Sequence, residues 1–367
     1  KLMQAEVEAA AEPIDQAVAL DPQSAYVVVA KARLLAAQRD YAAARAQLDG
    51  ILEREPDYAA AWSLLGDLEF VEGNLAPAAA AYTQAIENRI ANFDDLLKRA
   101  GVRIAQKNYG EAQNDIDALK KLAPKNTGVN FRQGLIHFNN GRLAEARESF
   151  EMALRANPQH LEAIFYLSRT HLRLGNREHA EDYARQFHSA APLSIPGRKL
   201  MASIDLGNRD YVAAEELMRP VVAYREDDVE AVNLLANALL KQDKTDEAIE
   251  LLEKAVSLQP DSAVAQLRLG AGLLAGGKDD AGVGHLEKAL EMEPQLQQAD
   301  VLLIQYYLDR KDFDKALTAA EAYRDRHPVS AAPYNLIGRV QLVAGQETDA
   351  AKACTRAREM APGDPQA

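Results

Sequence analysis

The sequence has few cysteines, few aromatic residues and no long apolar run. A single cysteine, Cys354, among 367 residues excludes an internal disulfide and a zinc site built from cysteines. Aromatic residues make up 6% of the chain, which is too little material for a β-sandwich or barrel. No stretch of about 18 apolar residues offers a transmembrane helix. The net charge of −13 argues against a nucleic-acid partner, because binding phosphates needs a basic surface.

The sequence does have a period of 34 residues, which proline marks. Nine of the 15 prolines lie on one 34-residue grid, and only Ile90 and Glu226 occupy grid points without proline. The prolines on the grid are Pro22, Pro56, Pro124, Pro158, Pro192, Pro260, Pro294, Pro328 and Pro362. A period of this length predicts a repeat architecture in which neighbouring units stack to bury one continuous core.

Two further positions of every repeat are small. Ten residues after the grid points stand Ala32, Gly66, Ala100, Gly134, Ser168, Ala202, Ala236, Gly270, Ile304 and Gly338, of which only Ile304 is large. Twelve residues further stand Ala44, Ala78, Ala112, Ala146, Ala180, Ala214, Ala248, Gly282, Ala316 and Ala350. We expect two helices to approach closely at these positions, because a larger side chain would overpack the contact by roughly 1–3 kcal/mol.

The apolar spacing between these markers predicts a helix, a short turn and a second helix in each unit. Trp62, Leu65 and Phe70 share one face of the first helix of a unit, and Ala78 and Tyr82 share a face of its second helix. Turns that often carry glycine separate the two helices, and the proline ends the second one. The predicted repeats, numbered 1 to 10 in this order, are 25–58, 59–92, 93–126, 127–160, 161–194, 195–228, 229–262, 263–296, 297–330 and 331–364.

Both ends of the sequence lie outside complete units. Residues 1–24 are predicted to form the second helix of a truncated upstream repeat, and residues 365–367 form a tail. A stack of repeats needs polar caps on its terminal units, and neither end of the sequence shows one. We therefore expect the sequence to be part of a longer array.

The pattern resembles the tetratricopeptide repeat across nearly the whole chain. Residues 59–92 show the resemblance best, with the family's large, small and turn residues at Trp62, Leu65, Gly66, Gly73, Ala78, Tyr82 and Ala85. The resemblance implies an all-α, right-handed superhelical solenoid of about ten helix-turn-helix repeats. Arg99 and Gln133 depart from the pattern, because the family usually has leucine at their position.

The resemblance also implies where a partner binds. In this family the first helices line a concave groove, and the second, fifth, ninth, twelfth and thirteenth positions of each unit point into it. In repeats 4 to 7, counted from residue 25, these positions form an aromatic and cationic stripe, namely Phe131, Phe165, Arg169, Arg173, Lys199, Asn233, Asn237 and Lys241. Such a stripe can hold a peptide or an acidic or sugar chain. The alternative is that these side chains only solvate the surface.

The sequence predicts no catalytic, metal or cofactor site. Residues 272–279 resemble a phosphate-binding loop but lack its final serine or threonine, and Gly277 falls in a turn between two helices. His137 and His171 share one repeat position without a carboxylate on the same face, so packing is favoured over a metal pair. Cys354 falls on the core side of a second helix, where we expect a buried and inert thiol.

Four stretches are similar to one bacterial subfamily, the PEP-CTERM-system TPR-repeat lipoproteins of Gram-negative bacteria. They are residues 131–138, 198–202, 299–304 and 333–338. This similarity implies a role in exopolysaccharide production or export, or in protein sorting, with a lipid anchor upstream and a periplasmic or outer-membrane-anchored location.

The leading hypothesis is a non-catalytic scaffold that binds a protein or peptide partner in its groove. Two alternatives stay open at this point. One is a polysaccharide-binding module, in which Phe131 and Phe165 stack on sugar rings. The other is the repeat region of a larger enzyme whose catalytic domain lies outside these residues.

Overall fold

The computed structural model of the protein describes residues 2–89 and 92–361. This part of the chain contains 21 helices and no strand. The helices are α1 (Leu2–Leu20), α2 (Ala25–Ala37), α3 (Tyr41–Leu52), α4 (Ala59–Val71), α5 (Leu75–Glu87), α6 (Phe93–Ala105), α7 (Tyr109–Leu122), α8 (Thr127–Asn139), α9 (Leu143–Ala156), α10 (Leu161–Arg173), α11 (Arg177–Ala190), α12 (Ile195–Gly207), α13 (Tyr211–Tyr224), α14 (Val229–Leu240), α15 (Thr245–Leu258), α16 (Ala263–Ala275), α17 (Asp279–Met292), α18 (Gln297–Asp309), α19 (Phe313–Arg326), α20 (Ala332–Val343) and α21 (Glu347–Met360). The grid positions Ile90 and Pro362 and the predicted tail lie outside the described residues.

The chain divides into two compact units, which are residues 1–190 (unit 1, α1–α11) and 191–367 (unit 2, α12–α21). From α2 onward, the even-numbered helices are the first helices of the repeats and the odd-numbered ones are the second helices. Within each unit, a second helix packs against its own first helix and against the first helix that follows. Some successive first helices also touch directly, such as α6 with α8 and α12 with α14. Each unit is therefore a stack of helix pairs, which makes the fold an all-α solenoid.

The two series of small residues lie where helices meet, as the sequence predicts. All twenty residues are buried, and Ser168 Oγ donates a hydrogen bond to the Ala180 carbonyl at 2.7 Å, which directly links the two positions of one repeat. A Cβ atom on Gly134 would lie only 2.4 Å from a ring carbon of Phe150. The expectation of a close approach at these positions is thus confirmed.

The turn inside every repeat has a residue in the left-handed region of the backbone. Five of these residues are glycines with φ between 71° and 83°, namely Gly73, Gly141, Gly175, Gly277 and Gly345. The other five have φ between 58° and 66° and carry side chains, namely Arg39, Lys107, Arg209, Asp243 and Lys311. A left-handed conformation costs a residue with a Cβ about 1–2 kcal/mol. Half of the turns therefore carry a small backbone strain.

Hydrogen bonds from side chains fix the helix starts and the joints between repeats. Asp40 and Asp228 cap α3 and α14 by accepting hydrogen bonds from the backbone amides of Ala43 and Ala231, both at 3.1 Å. The fourth residue of several first helices donates to the carbonyl of the preceding grid proline. These bonds are Trp62 to Pro56 (2.7 Å), Asn130 to Pro124 (3.0 Å) and Arg198 to Pro192 (2.9 Å). The proline thus ends one repeat and offers an acceptor to the next.

Arg99 and Gln133 keep the helix register of the family although they replace leucine. Arg99 donates to both carboxylate oxygens of Asp115, at 2.7 and 3.2 Å, and Arg103 donates to the same carboxylate at 2.7 Å. Gln133, which is 2% exposed, exchanges two hydrogen bonds with Gln113 at 2.9 and 3.0 Å. Polar side chains can replace a leucine contact here because each is paired with a partner on the neighbouring helix.

The prediction that Cys354 is a buried core residue is wrong, because its side chain is exposed. At the equivalent position of earlier repeats, residues such as Leu48, Tyr82 and Leu252 are at most 3% exposed. Leu48, for example, shares a core cluster with Leu64 of the following first helix. Among the described residues no helix follows α21, so nothing covers its outer side. Cys354 Sγ lies on the side of α21 that faces α20, because a Cβ atom on Gly338 would meet it at 2.8 Å, but the residue is exposed at a position that is buried elsewhere.

Candidate functional site

The fully or partly exposed sides of the first helices, called here the first-helix face, carry seven of the eight predicted groove residues, and the eighth, Lys241, directly follows a first helix. Phe131, Phe165, Arg169 and Arg173 belong to α8 and α10 of unit 1. Lys199 lies on α12, Asn233 and Asn237 lie on α14, and Lys241 follows α14, all in unit 2. The predicted stripe therefore consists of two sets of four residues, one on each unit.

In unit 1 both phenylalanines belong to an aromatic cluster. The Phe131 ring lies 4.8 Å from the ring of His160 and 5.8 Å from that of Phe150, measured between centroids. The Phe165 ring contacts Tyr166 edge-on at 5.6 Å and Phe187 at 5.2 Å. Both rings are thus committed to intramolecular contacts, and no observation favours their stacking on sugars.

The two arginines of α10 lie over these rings. The guanidinium carbon of Arg169 is 5.3 Å from the Phe138 centroid and 5.7 Å from the Phe165 centroid. Arg173 lies 4.8 Å from the Phe138 centroid and donates to the Phe138 carbonyl at 3.0 Å. Phe138 was missed as a site residue, although it occupies the twelfth position of its repeat. Its signal was present in the sequence, because that position is one of those the family points into the groove.

In unit 2 the charge of Lys199 is already neutralised within the chain. Its ammonium lies 2.6 Å from the Glu230 carboxylate and donates to both oxygens of Asp228 at 3.1 and 3.2 Å. Burial acts to lower the pKa of Lys199, but the hydrogen bonds to Glu230 and Asp228 outweigh it and raise that pKa. Lys199 therefore ties α12 to the start of α14 and is a weaker candidate for binding an anion.

Asn233 and Asn237 line an open cavity of about 600 Å³ between α14, α15 and α16, called here the α14–α16 cavity. Glu230, Leu240 and Arg268 are also among its lining residues. The Oδ1 atom of Asn233 is buried and accepts no hydrogen bond from residues 2–89 or 92–361. Lys241 is exposed and is not among the lining residues. Two of the four residues predicted in unit 2 thus share one concave site.

Arg268 is a residue of this site that the sequence did not indicate. It holds the sixth position of its repeat, which is not one of the groove positions taken from the family. Its guanidinium is exposed, and no carboxylate of the described residues lies within 4.0 Å of it. The cavity therefore combines three amide side chains, those of Asn233, Asn237 and Gln259, with the cation of Arg268, so it can donate and accept hydrogen bonds.

The histidines noted in the sequence are held by packing contacts. A side-chain nitrogen of Gln133 lies 3.0 Å from His137 Nε2, and the ring of His171 stacks on His179 and Tyr183 at 5.1 and 5.7 Å. Burial lowers the pKa of both His137 and His171. In the part of the chain that the structure describes, no three potential metal-ligating side chains cluster together. No helix of that part is long and apolar enough to span a bilayer.

Comparisons with known proteins agree with this architecture. One tetratricopeptide repeat family model matches residues 29–95, 97–160, 131–194 and 301–365, and another matches residues 205–269. No protein among those with curated descriptions matches the chain.

Two solved structures share the fold. A tetratricopeptide repeat protein from Parabacteroides merdae ATCC 43184 is 18% identical, with a TM-score of 0.50 over 68% of this chain and 98% of that one. The APC/C hetero-tetramer Cut9–Hcn1 matches with 15% identity and a TM-score of 0.60, over 86% of this chain and 63% of that one. Repeats of this type generally serve as non-catalytic scaffolds for protein interaction. Because its helices form repeated pairs and the repeat model matches more than half of its length, the chain belongs to the tetratricopeptide repeat family.

Proposed function

We propose that the protein is a non-catalytic scaffold that binds a protein partner through its first-helix face, with the α14–α16 cavity as one anchor point. The observation that carries this proposal is the cavity itself, which is large enough for several side chains of a partner. Asn233 and Asn237 stand one helical turn apart on its wall, and an asparagine amide can both donate and accept hydrogen bonds. Such a pair suits the backbone of an extended peptide segment, which offers the same two groups.

The rigidity of the surrounding helices supports a binding role. Ala231, Val232, Leu235 and Ala236 lie on α14 and are at most 3% exposed, so the helix is firmly packed beneath the cavity. A surface that is already ordered loses little conformational entropy on binding, which favours affinity. The site therefore needs no rearrangement of its supporting helix to receive a partner.

The proposal is tested by affinity capture from a cell-envelope extract, with bound proteins identified by mass spectrometry. The wild type is compared with Asn233→Ala/Asn237→Ala/Arg268→Ala and with a control on exposed positions of the second helices, Glu250→Ala/Lys288→Ala. We expect a partner that the wild type and the control retain and that the triple variant loses. Equal capture by all three proteins would show that the cavity is not the binding site.

A role in envelope exopolysaccharide production or in protein sorting is a narrower proposal. Its support is the sequence similarity of the four stretches to the PEP-CTERM-system lipoproteins, which also suggests a lipid anchor and a periplasmic or outer-membrane location. Deleting the gene in the organism of origin and measuring cell-surface polysaccharide tests this role. An unchanged yield of polysaccharide would remove the exopolysaccharide part and leave the scaffold proposal intact.

A further inference from the structure

Unit 1 carries a pair of arginines that share one aromatic ring. The guanidinium carbons of Arg169 and Arg173 lie 5.3 and 4.8 Å from the centroid of Phe138. The two cationic groups are consequently about 10 Å apart or closer. Both side chains are exposed, and neither forms an ion pair with a carboxylate among residues 2–89 and 92–361. Two like charges are thus held next to each other without a counter-charge.

The other charged groups near this pair do not neutralise it. Helices α8 and α10 carry three arginines, Arg132, Arg169 and Arg173, but only one acidic residue, Glu162. The Glu162 carboxylate lies 3.4 Å from the His160 ring nitrogen and its side chain is 70% exposed. Arg132 donates to the Gly128 carbonyl, and its Nε atom has no hydrogen-bond partner in the part of the chain that the structure describes. This part of the first-helix face is therefore basic, although the whole chain has a net charge of −13.

Other arginines of the same unit are paired with acids. Arg99 and Arg103 both bind the Asp115 carboxylate, at 2.7 Å each. Arg45 forms ion pairs with both Glu69 and Glu72. These three arginines have a structural role, and in each case a carboxylate of a neighbouring helix neutralises the charge. Arg169 and Arg173 are supported by rings instead, which leaves their outward edges free to bind.

Contacts with the rings also hold the two side chains in place before any partner arrives. Arg169 touches the Phe138, Phe165 and Tyr166 rings, all within 5.7 Å. Arg173 is fixed by the Phe138 ring and by its bond to the Phe138 carbonyl. Because the rotamers of both arginines are already restricted, binding a carboxylate loses less side-chain conformational entropy than it would at freely moving arginines. A guanidinium plane can also bind a carboxylate with two parallel hydrogen bonds.

We propose that Arg169 and Arg173 form a recognition site for an acidic segment of the partner protein, each arginine taking one carboxylate. This inference rests on the proposed scaffold function and names the chemistry of its partner. In an extended segment, side chains at alternate positions point the same way and are about 7 Å apart. The two guanidinium carbons are at most about 10 Å apart, so two carboxylates at this spacing lie within their reach, and the segment we propose carries Asp or Glu at every second position.

The test is a titration of the full chain against a fluorescein-labelled peptide of alternating Glu and Ser, followed by fluorescence anisotropy at low salt. The matched probe is the same peptide with Gln in place of Glu. We expect the Glu peptide to bind at least tenfold more tightly than the Gln peptide, and the difference to shrink as salt is added. Equal binding of the two peptides would overturn the proposal.

Variants locate the site. Arg169→Gln/Arg173→Gln should weaken binding of the Glu peptide at least tenfold, whereas the charge-matched control Arg142→Gln/Arg155→Gln should change it less than twofold. Arg169→Lys/Arg173→Lys keeps the charge but loses the planar fork, so it should fall between wild type and the glutamine variant. Equal losses in the glutamine variant and the control would overturn the site, because the binding would then follow total charge.

The two proposals can fail independently. Envelope capture that depends on Asn233 and Asn237, together with no preference for the Glu peptide, would reject the acidic segment and keep the scaffold. Circular dichroism of each arginine variant separates a lost site from a lost fold, because both arginines are exposed and their removal should leave the helical signal unchanged.

Discussion

The repeats around α6–α9 and those around α14–α17 build the same helix pairs from different chemistry. At the seventh position of the first helix, unit 1 has Arg99 and Gln133. Their side chains form hydrogen bonds with Asp115 and Gln113, which both lie on the second helix α7. Unit 2 has Leu235 and Leu269 at the same position, both 3% exposed and part of one apolar core cluster. The small residues and the turns therefore fix the register, whereas the large contact residue between them can be charged, polar or apolar.

The largest effect should come from the positions that both regions share. Ala146 in α9 and Ala248 in α15 are both 0% exposed. Ala146→Glu and Ala248→Glu each bury an unpaired charge in a helix contact, so we expect each to lower the free energy of unfolding by about 5 kcal/mol or more. Thermal melts followed by circular dichroism measure the loss. A melt unchanged by either substitution would contradict the assigned register.

The next effect separates the two regions. Asp115→Ala leaves the guanidinium of Arg99 partly buried without a carboxylate and leaves Arg103 with only its ion pair to the exposed Glu111, which should cost about 3 kcal/mol. Leu235→Ala in unit 2 opens a cavity at a similar cost of about 3 kcal/mol. Added salt screens the repulsion between the two arginines, so urea melts in 0.1 and 1 M NaCl should show a partial recovery for Asp115→Ala alone. Recovery of both variants by the same amount would remove the distinction between the regions.

Unit 2 also has a charged cluster, but it lies beside a turn. Glu215 of α13 is 8% exposed and accepts hydrogen bonds from Lys244 at 2.7 Å, Gln242 at 2.6 Å and Arg219 at 2.7 Å. Burial acts to raise the pKa of Glu215, yet these hydrogen bonds outweigh it and lower that pKa to about 2.

This lowered pKa predicts how stability depends on pH. A carboxyl group whose pKa is depressed in the folded state stabilises the fold above its unfolded pKa, near 4.5, and loses that contribution as the pH falls toward 2. Lys244 and Arg219 are both about half exposed, which screens the cluster, so we expect a loss of about 1–2 kcal/mol. Glu215→Gln should remove this part of the pH dependence. Parallel stability curves for the variant and the wild type between pH 5 and 2 would argue against the depressed pKa.

The smallest effect concerns the turns. Lys107 in unit 1 and Asp243 in unit 2 have φ of 61° and 60°. Replacing either with glycine relieves left-handed strain but raises the entropy of the unfolded chain, so we expect a net gain of about 0.5–1 kcal/mol. Gly141→Ala in unit 1 should cost about 1 kcal/mol. Chemical denaturation of the three variants measures these changes, and a loss of stability in both glycine variants would show that their side chains contribute more than the strain costs.

The sequence predicted the repeat and its close contacts because these depend on local properties, namely the proline, the small residues and the helical spacing. It could not predict the partners of Arg99 and Gln133, since each partner lies on another helix. The error at Cys354 has the same origin, because burial at that position depends on a neighbouring repeat and not on the helix that carries the residue.

The candidate site was predicted in part. Positions taken from the family located Asn233 and Asn237 on the cavity wall, but they missed Arg268, which reaches the cavity from the sixth position of the next repeat. They also included Lys199, whose ion pairs with Asp228 and Glu230 depend on the start of α14 and were not visible in its own helix. Position in a repeat indicates which side chains face the surface, whereas the neighbouring repeat decides which of them remain unpaired.

The central claim is that the first-helix face binds the partner and that the second helices support it. Hydrogen–deuterium exchange of the full chain, with and without the partner captured from the extract, tests it most directly. We expect slower exchange in peptides from α8, α10, α14 and α16 when the partner is bound, with little change in α9, α11, α15 and α17. Protection confined to those second helices would contradict it.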